Sequence, residues 1–161
     1  MNWKKLFSMQ KQLDKYIENN QGVTGENLFE EKYLALLVEL GELANETRCF
    51  KFWSSKPKSD QEVILAEYVD GVHFILSLGL DKGHICHTKS SNATINTETE
   101  QFNHVFDMCA AYKHDPSQSN YEKMFNSYIQ LGNLLGFDEN AVYRAYIQKN
   151  EINYERQDEG Y

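Results

Sequence analysis

The segment from residue 61 to residue 80 constrains this chain more than any other. At helical spacing Val63, Ile64, Leu65, Val69, Val72, Phe74, Ile75, Leu76 and Leu78 leave it apolar on almost every side. A helix apolar all round has to be covered all round, so this one belongs at the centre of a bundle. The remaining sequence can supply the cover. It contains only two prolines, Pro57 and Pro116, its glycines fall mostly between apolar-periodic stretches, and strand-like alternation is scarce. That punctuation favours long helices.

A first helix is expected over about residues 2–19, with Leu6, Met9, Leu13 and Ile17 on one side, broken by the Gly22 and Gly25 region. A second is expected over about 27–48, carrying Tyr33, Leu36, Leu37, Leu40 and Leu43. Residues 53–59 read as a loop, and Ser59 or Asp60 as the N-cap of the apolar helix. Residues 81–96 are polar and read as an excursion. Thr97 with Glu100, and Ser119 with Glu122, fit capping boxes, and Asp138 is placed to cap a last helix reaching about residue 156. The expected fold is an all-α helical bundle with metal-binding central helices. A single domain over 1–161 suits the length, and no internal repeat or linker interrupts it.

Composition excludes several roles. With 16 basic against 24 acidic side chains the net charge is −8, which argues against a basic face gripping nucleic acid. A phosphorylated substrate would then need a local basic patch or a metal cation to offset repulsion. No apolar run reaches the roughly 20 residues that span a bilayer, and no apolar stretch follows Lys4 and Lys5, so a soluble protein without a secretory signal is expected. Cys49, Cys86 and Cys109 are odd in number and widely spaced, which fits a reducing cytoplasm. The run Gly83, His84, Ile85, Cys86, His87 matches no common zinc spacing, and zinc is rejected.

The chemistry is carried by carboxylates. Glu39, Glu42 and Glu46 are spaced three and four apart, so they fall within roughly 60° of one another on a helix. Alone that stripe reads as a solvated face. Glu67 and Asp70 repeat the three-residue spacing inside the apolar helix, where carboxylates are costly unless paired or bound to a metal. No Lys or Arg lies near them at helical spacing. Glu39, Glu42, Glu67 and Asp70 converging from two packed helices make an all-oxygen site suited to Mg²⁺ or Mn²⁺; the other reading is an acidic rim with raised pKa values. Glu46 is either part of that shell, a residue orienting water, or a neighbour without a role. His73, one turn past Asp70, reads as a supporting or core residue. On the last helix Lys149, Asn153 and Arg156 share a face and offer a phosphate grip; helix-dipole compensation is the alternative for the two cations. Tyr143 and Tyr146 read as packing residues.

Three blocks resemble the dimeric all-α dUTPases, relatives of the MazG-like pyrophosphatases: Glu39-Leu40-Gly41-Glu42, Glu67-Tyr68-Val69-Asp70 followed by His73-Phe74, and the tail from Lys149-Asn150 to Gly160-Tyr161. The resemblance covers most of the chain outside a variable insertion at about 81–141. It implies a homodimer whose active sites draw on both subunits. It also implies catalytic magnesium ions on Glu39, Glu42, Glu67 and Asp70, phosphates handled by the tail, and hydrolysis of dUTP, with dUDP a further substrate, to dUMP and pyrophosphate. By the same resemblance Gln10 or Gln12, Asp14, Trp53 and Asn150 are candidates for base or sugar contacts, with Tyr161 an accessory. The family places a Gln and an Asn on its first helix to read uracil, and this chain has Asp14 near the expected Asn; Trp53 reads alternatively as a core anchor. Rival readings are a pyrophosphatase for another nucleotide such as dCTP or a damaged one, and a non-enzymatic helical interaction protein.

Overall fold

The computed structural model describes residues 1–86 and 97–160, and all regular structure among them is helical. Six helices follow in order: α1 Trp3–Gln21, α2 Phe29–Thr47, α3 Gln61–Lys82, α4 Glu98–His114, α5 Gln118–Leu134 and α6 Glu139–Asp158. Helix α3 packs against α1, α2, α5 and α6, which is where its apolarity comes from. By length and mean hydropathy, 1.6, it could also cross a membrane, contrary to the expectation that no segment reaches that length. Its place is the core of the bundle: Ile64, Val69, Val72, Ile75, Leu76 and Leu78 are all buried.

Caps set the helix ends. Asn2, Thr97 and Asp138 each accept a backbone N–H from three residues on, as N-cap side chains do. The expected capping box at Ser119 and Glu122 is displaced: Ser117 is the N-cap of α5, accepting from Asn120 N, and Ser119 falls within the first turn. Asp60 rather than Ser59 precedes α3, because the Ser59 hydroxyl donates to Glu46 instead. Helix α2 ends on Arg48 in the left-handed region, φ 58°, and its guanidinium donates to Ser54 Oγ at 2.7 Å and to the Lys56 carbonyl at 3.1 Å. That fixes the loop after α2.

Helices α3 and α5 approach through glycines on which tyrosines rest. Tyr128 donates to the Tyr68 carbonyl at 2.8 Å, Tyr68 to the Tyr128 carbonyl at 3.2 Å, and their rings stack at 4.8 Å. Tyr121 donates to the Ile75 carbonyl at 3.0 Å. The three hydroxyls sit where Cβ atoms on Gly71, Gly132 and Gly79 would otherwise be. Helix α6 is held along α1 by Lys5 donating to Tyr143 OH at 2.6 Å and by the Tyr16–Tyr154 ring contact at 5.0 Å. This seats Lys149 and Arg156 beside α3.

Gly71→Ala gains roughly 1 kcal/mol of helix propensity but drives a methyl into the Tyr128 hydroxyl. Denaturant unfolding is expected to show a net loss of about 2–4 kcal/mol from overpacking and a broken hydrogen bond. Gly41→Ala, with open space around its Cβ, is expected to gain up to about 1 kcal/mol.

Candidate functional site

Helices α2 and α3 lie side by side, and this brings Glu39, Glu67 and Asp70 together, each with an oxygen within 4.8 Å of the others. All three are half-buried. Burial, followed by the charges of Asp70, Glu42 and Glu67, pushes the Glu39 carboxyl up to about 7. Burial and then the Asp70 charge also raise Glu67. Asp70 is raised by burial too, although the Lys149 hydrogen bond and the charges of Lys149 and Arg156 oppose the shift. Glu42 is exposed and stands outside the three-membered group, acting on it through repulsion. Glu46 is engaged by the Ser59 hydroxyl.

Asp70 has a partner that local spacing could not reveal. Lys149 Nζ, from 79 residues away, donates to Asp70 Oδ2 at 2.6 Å. The cation of the expected phosphate grip therefore already neutralises one buried carboxylate, which lowers the cost that first pointed to a metal. Glu39 and Glu67 form no ion pair among the described residues.

Glu39 and Asp70 border a cavity of about 490 Å³ bounded by α1, α2, α3 and α6. Its polar border includes the cations Lys149 and Arg156 and the amide of Asn153; Leu13, Ile17, Val23, Leu28 and Phe74 supply apolar wall. A third part is a connected polar network. Gln10 Oε1 accepts from Tyr146 OH at 2.7 Å and lies 2.7 Å from His73 Nδ1; Gln10 Nε2 donates to Asp14 Oδ1 at 2.7 Å; Ser77 Oγ donates to Asp14 Oδ2 at 2.7 Å. Burial lowers the His73 imidazole to about 3, so it is neutral near pH 7, and its ring lies on Tyr146 with centroids 4.1 Å apart. Burial raises the Asp14 carboxyl, against the hydrogen bonds from Ser77 and Gln10.

The structure thus gathers Gln10, Asp14, Glu39, Asp70, His73, Lys149, Asn153 and Arg156 around one space, with Glu67 beside it. It does not bring the others there. Trp53 is 64% exposed on the loop after α2, edge-on to Phe50 and Phe52, so within this chain it neither lines the cavity nor anchors the core. Asn150 is buried, is not among the residues lining the cavity, and its Nδ2 has no hydrogen-bond partner. Gln12 is exposed. Tyr161 and His87 lie outside the described residues. Tyr146, read from sequence as packing, is buried and also orients Gln10. Ser77 and Lys32 were missed. Ser77 had a signal, since Glu67, Asp70, His73 and Ser77 occupy a stripe within about 120° on an otherwise apolar helix. Lys32, which donates to Asp81 at 2.7 Å, had none.

The donor set fits a hard divalent cation: three carboxylates, oxygen only, close enough to share one ion and mutually repelling without it. The family model described as dUTPase matches residues 2–161 of this chain. Comparison with curated proteins gives no match.

Raised carboxyl pKa values have a definite sign. The folded state binds protons that the unfolded state releases, so the stability tied to Glu39 is complete below about 4.5 and is lost as the pH rises through about 7. In metal-free protein, Glu39→Gln is expected to melt progressively higher than the parent between pH 5 and pH 8. A melting difference that stays constant over that range would contradict the burial and repulsion described.

Proposed function

Since the chain belongs to the all-α dUTPase family, we propose that it hydrolyses dUTP, and also dUDP, giving dUMP and from dUTP pyrophosphate, in a magnesium-dependent reaction. The supporting observation is the meeting of Glu39, Glu67 and Asp70 at a cavity that Lys149, Asn153 and Arg156 also border. Glu39, Glu67 and Asp70 are the residues that would hold magnesium, with Glu42 next to them; manganese would be held by the same oxygens. When bound there, the cation supplies positive charge against the triphosphate.

The chain's own groups do the rest. Arg156 offers a planar fork for phosphate oxygens and Lys149 a point charge, and both favour the charge that develops as the bond to the leaving pyrophosphate breaks. Lys149 reaches phosphate from its place on Asp70. A carboxylate of the cluster polarises the attacking water. The apolar wall and the Gln10, Asp14 and His73 network take the base end of the nucleotide and keep bulk water from it.

A homodimer is part of the proposal. Leu34 and Val38 on the outer side of α2 are 61% and 49% exposed, Val63 at the start of α3 is 43% exposed, and Phe52 is 94% exposed beside Trp53. Association of two copies would cover such a surface. It also gives Trp53 its use, because the family's active sites draw on both subunits. Action on free nucleotides in the cytoplasm, away from nucleic acid and membranes, completes the proposal: it removes dUTP and so keeps uracil out of DNA.

The test is turnover of dUTP with Mg²⁺ and product identification, on material whose sedimentation mass is that of two 18.8 kDa chains. Glu67→Gln is expected to lower kcat by at least about 100-fold. Its melting temperature should hold or rise, because a half-buried charge is removed. Parent protein without Mg²⁺-dependent turnover, or a variant that keeps full activity, would refute the proposal.

A further inference from the structure

Two anions compete for one ammonium at the centre of the site. Lys149 Nζ donates to Asp70 Oδ2 at 2.6 Å, and both side chains are mostly shielded, at 21% and 14% exposure. The chemistry proposed above needs that ammonium on phosphate. Asp70 meanwhile belongs to the three carboxylates that have oxygens within 4.8 Å of one another and would hold magnesium. An ammonium and a divalent cation on one carboxylate repel each other, and water screens that repulsion poorly where the groups are half-buried. Each therefore weakens the other's hold on Asp70.

The ion pair is strong enough to matter and loose enough to break. Burial raises the Asp70 carboxyl, and the Lys149 hydrogen bond is the largest influence against that rise, ahead of the charges of Lys149 and Arg156. Without Lys149, a half-buried carboxylate would lie beside Glu39 and Glu67 with no hydrogen-bonded cation. Yet Lys149 approaches from α6 on a flexible four-carbon stem, and it lines the cavity together with Asn153 and Arg156. Rotation about its side-chain bonds can carry the ammonium from Asp70 into the space that phosphates would enter, with no helix displaced.

We propose that Lys149 is an exchangeable counterion: it holds Asp70 until a divalent cation takes that carboxylate, and it then passes to the phosphates of the nucleotide. The proposal rests on the magnesium-dependent reading above. Its consequence is a coupling between two ligands. Lys149 opposes free Mg²⁺, whereas phosphate that draws Lys149 away leaves Asp70 open to the ion, so the site favours the magnesium nucleotide over either component alone.

The experiment measures Mg²⁺ binding by calorimetry, and melting temperature with and without Mg²⁺, on the metal-stripped full chain at pH 8, for the parent, Lys149→Met and Arg156→Met. Without Mg²⁺, Lys149→Met is expected to melt below the parent. That deficit should close as Mg²⁺ saturates, and the dissociation constant for Mg²⁺ should fall by about 10-fold, a usual size for coupling between sites. Arg156→Met removes an equal charge from the same cavity border, where the side chain is exposed, and leaves the Asp70 hydrogen bond in place. It should tighten Mg²⁺ by about 3-fold or less. Lys149→Gln carries the same comparison if the apolar variant folds poorly. A Lys149 variant that binds Mg²⁺ no more tightly than Arg156→Met, or whose melting deficit persists at saturating Mg²⁺, overturns the inference, because the ion pair is then a bridge that stays closed. A parent indifferent to Mg²⁺ overturns the magnesium reading and this inference with it; a parent that responds, with a Lys149 variant that responds identically, overturns the inference alone.

Discussion

Mutual repulsion among three half-buried carboxylates is the interaction around which this bundle is organised. Glu39, Glu67 and Asp70 each have an oxygen within 4.8 Å of the others, and the raised Glu39 carboxyl records the cost of burial first and of that proximity second. Packing elsewhere holds them in place. The far side of α3 is fastened to α5 by the Tyr68 and Tyr128 hydrogen bonds over Gly71 and Gly132, and α6 is laid along α1 so that Lys149 meets Asp70. Stability drawn from tyrosines and glycines thus maintains an electrostatically unfavourable cluster that suits a cation.

Much of this was legible in the sequence, for a physical reason. A helix as apolar as α3 can only be central, and Glu67 and Asp70 on it could not be surface decoration. Helical spacing on each helix then singled out Glu39 on α2 and His73 on α3, and also Glu42, which stands outside the three-membered group. Spacing says nothing about distance across the fold. The Lys149 to Asp70 pair joins residues 79 apart, so the sequence argument overstated the need for a metal at Asp70. The same blindness hid Lys32, and it gave Tyr146 only its packing role when it also sets the direction of Gln10.

Other outcomes turn on which partner a side chain meets across the fold. Asn150 is buried outside the cavity lining, with its Nδ2 unpartnered, and nothing in the spacing on α6 distinguishes it from Gln157, which does line the cavity. Of the two N-caps expected for α3, Asp60 takes the place and the Ser59 hydroxyl serves Glu46. Trp53 has a fixed loop behind it, through Arg48, and yet projects outward.

The central claim is that the carboxylate cluster binds a divalent cation. It is tested most directly by the melting temperature of metal-stripped protein against Mg²⁺ concentration at pH 8, for the parent and for Glu39→Gln. A saturable rise is expected in the parent, equivalent to about 2.7 kcal/mol at a hundred times the dissociation constant, with a much smaller rise in the variant. A parent whose melting is indifferent to Mg²⁺, or a variant that responds equally, would contradict it.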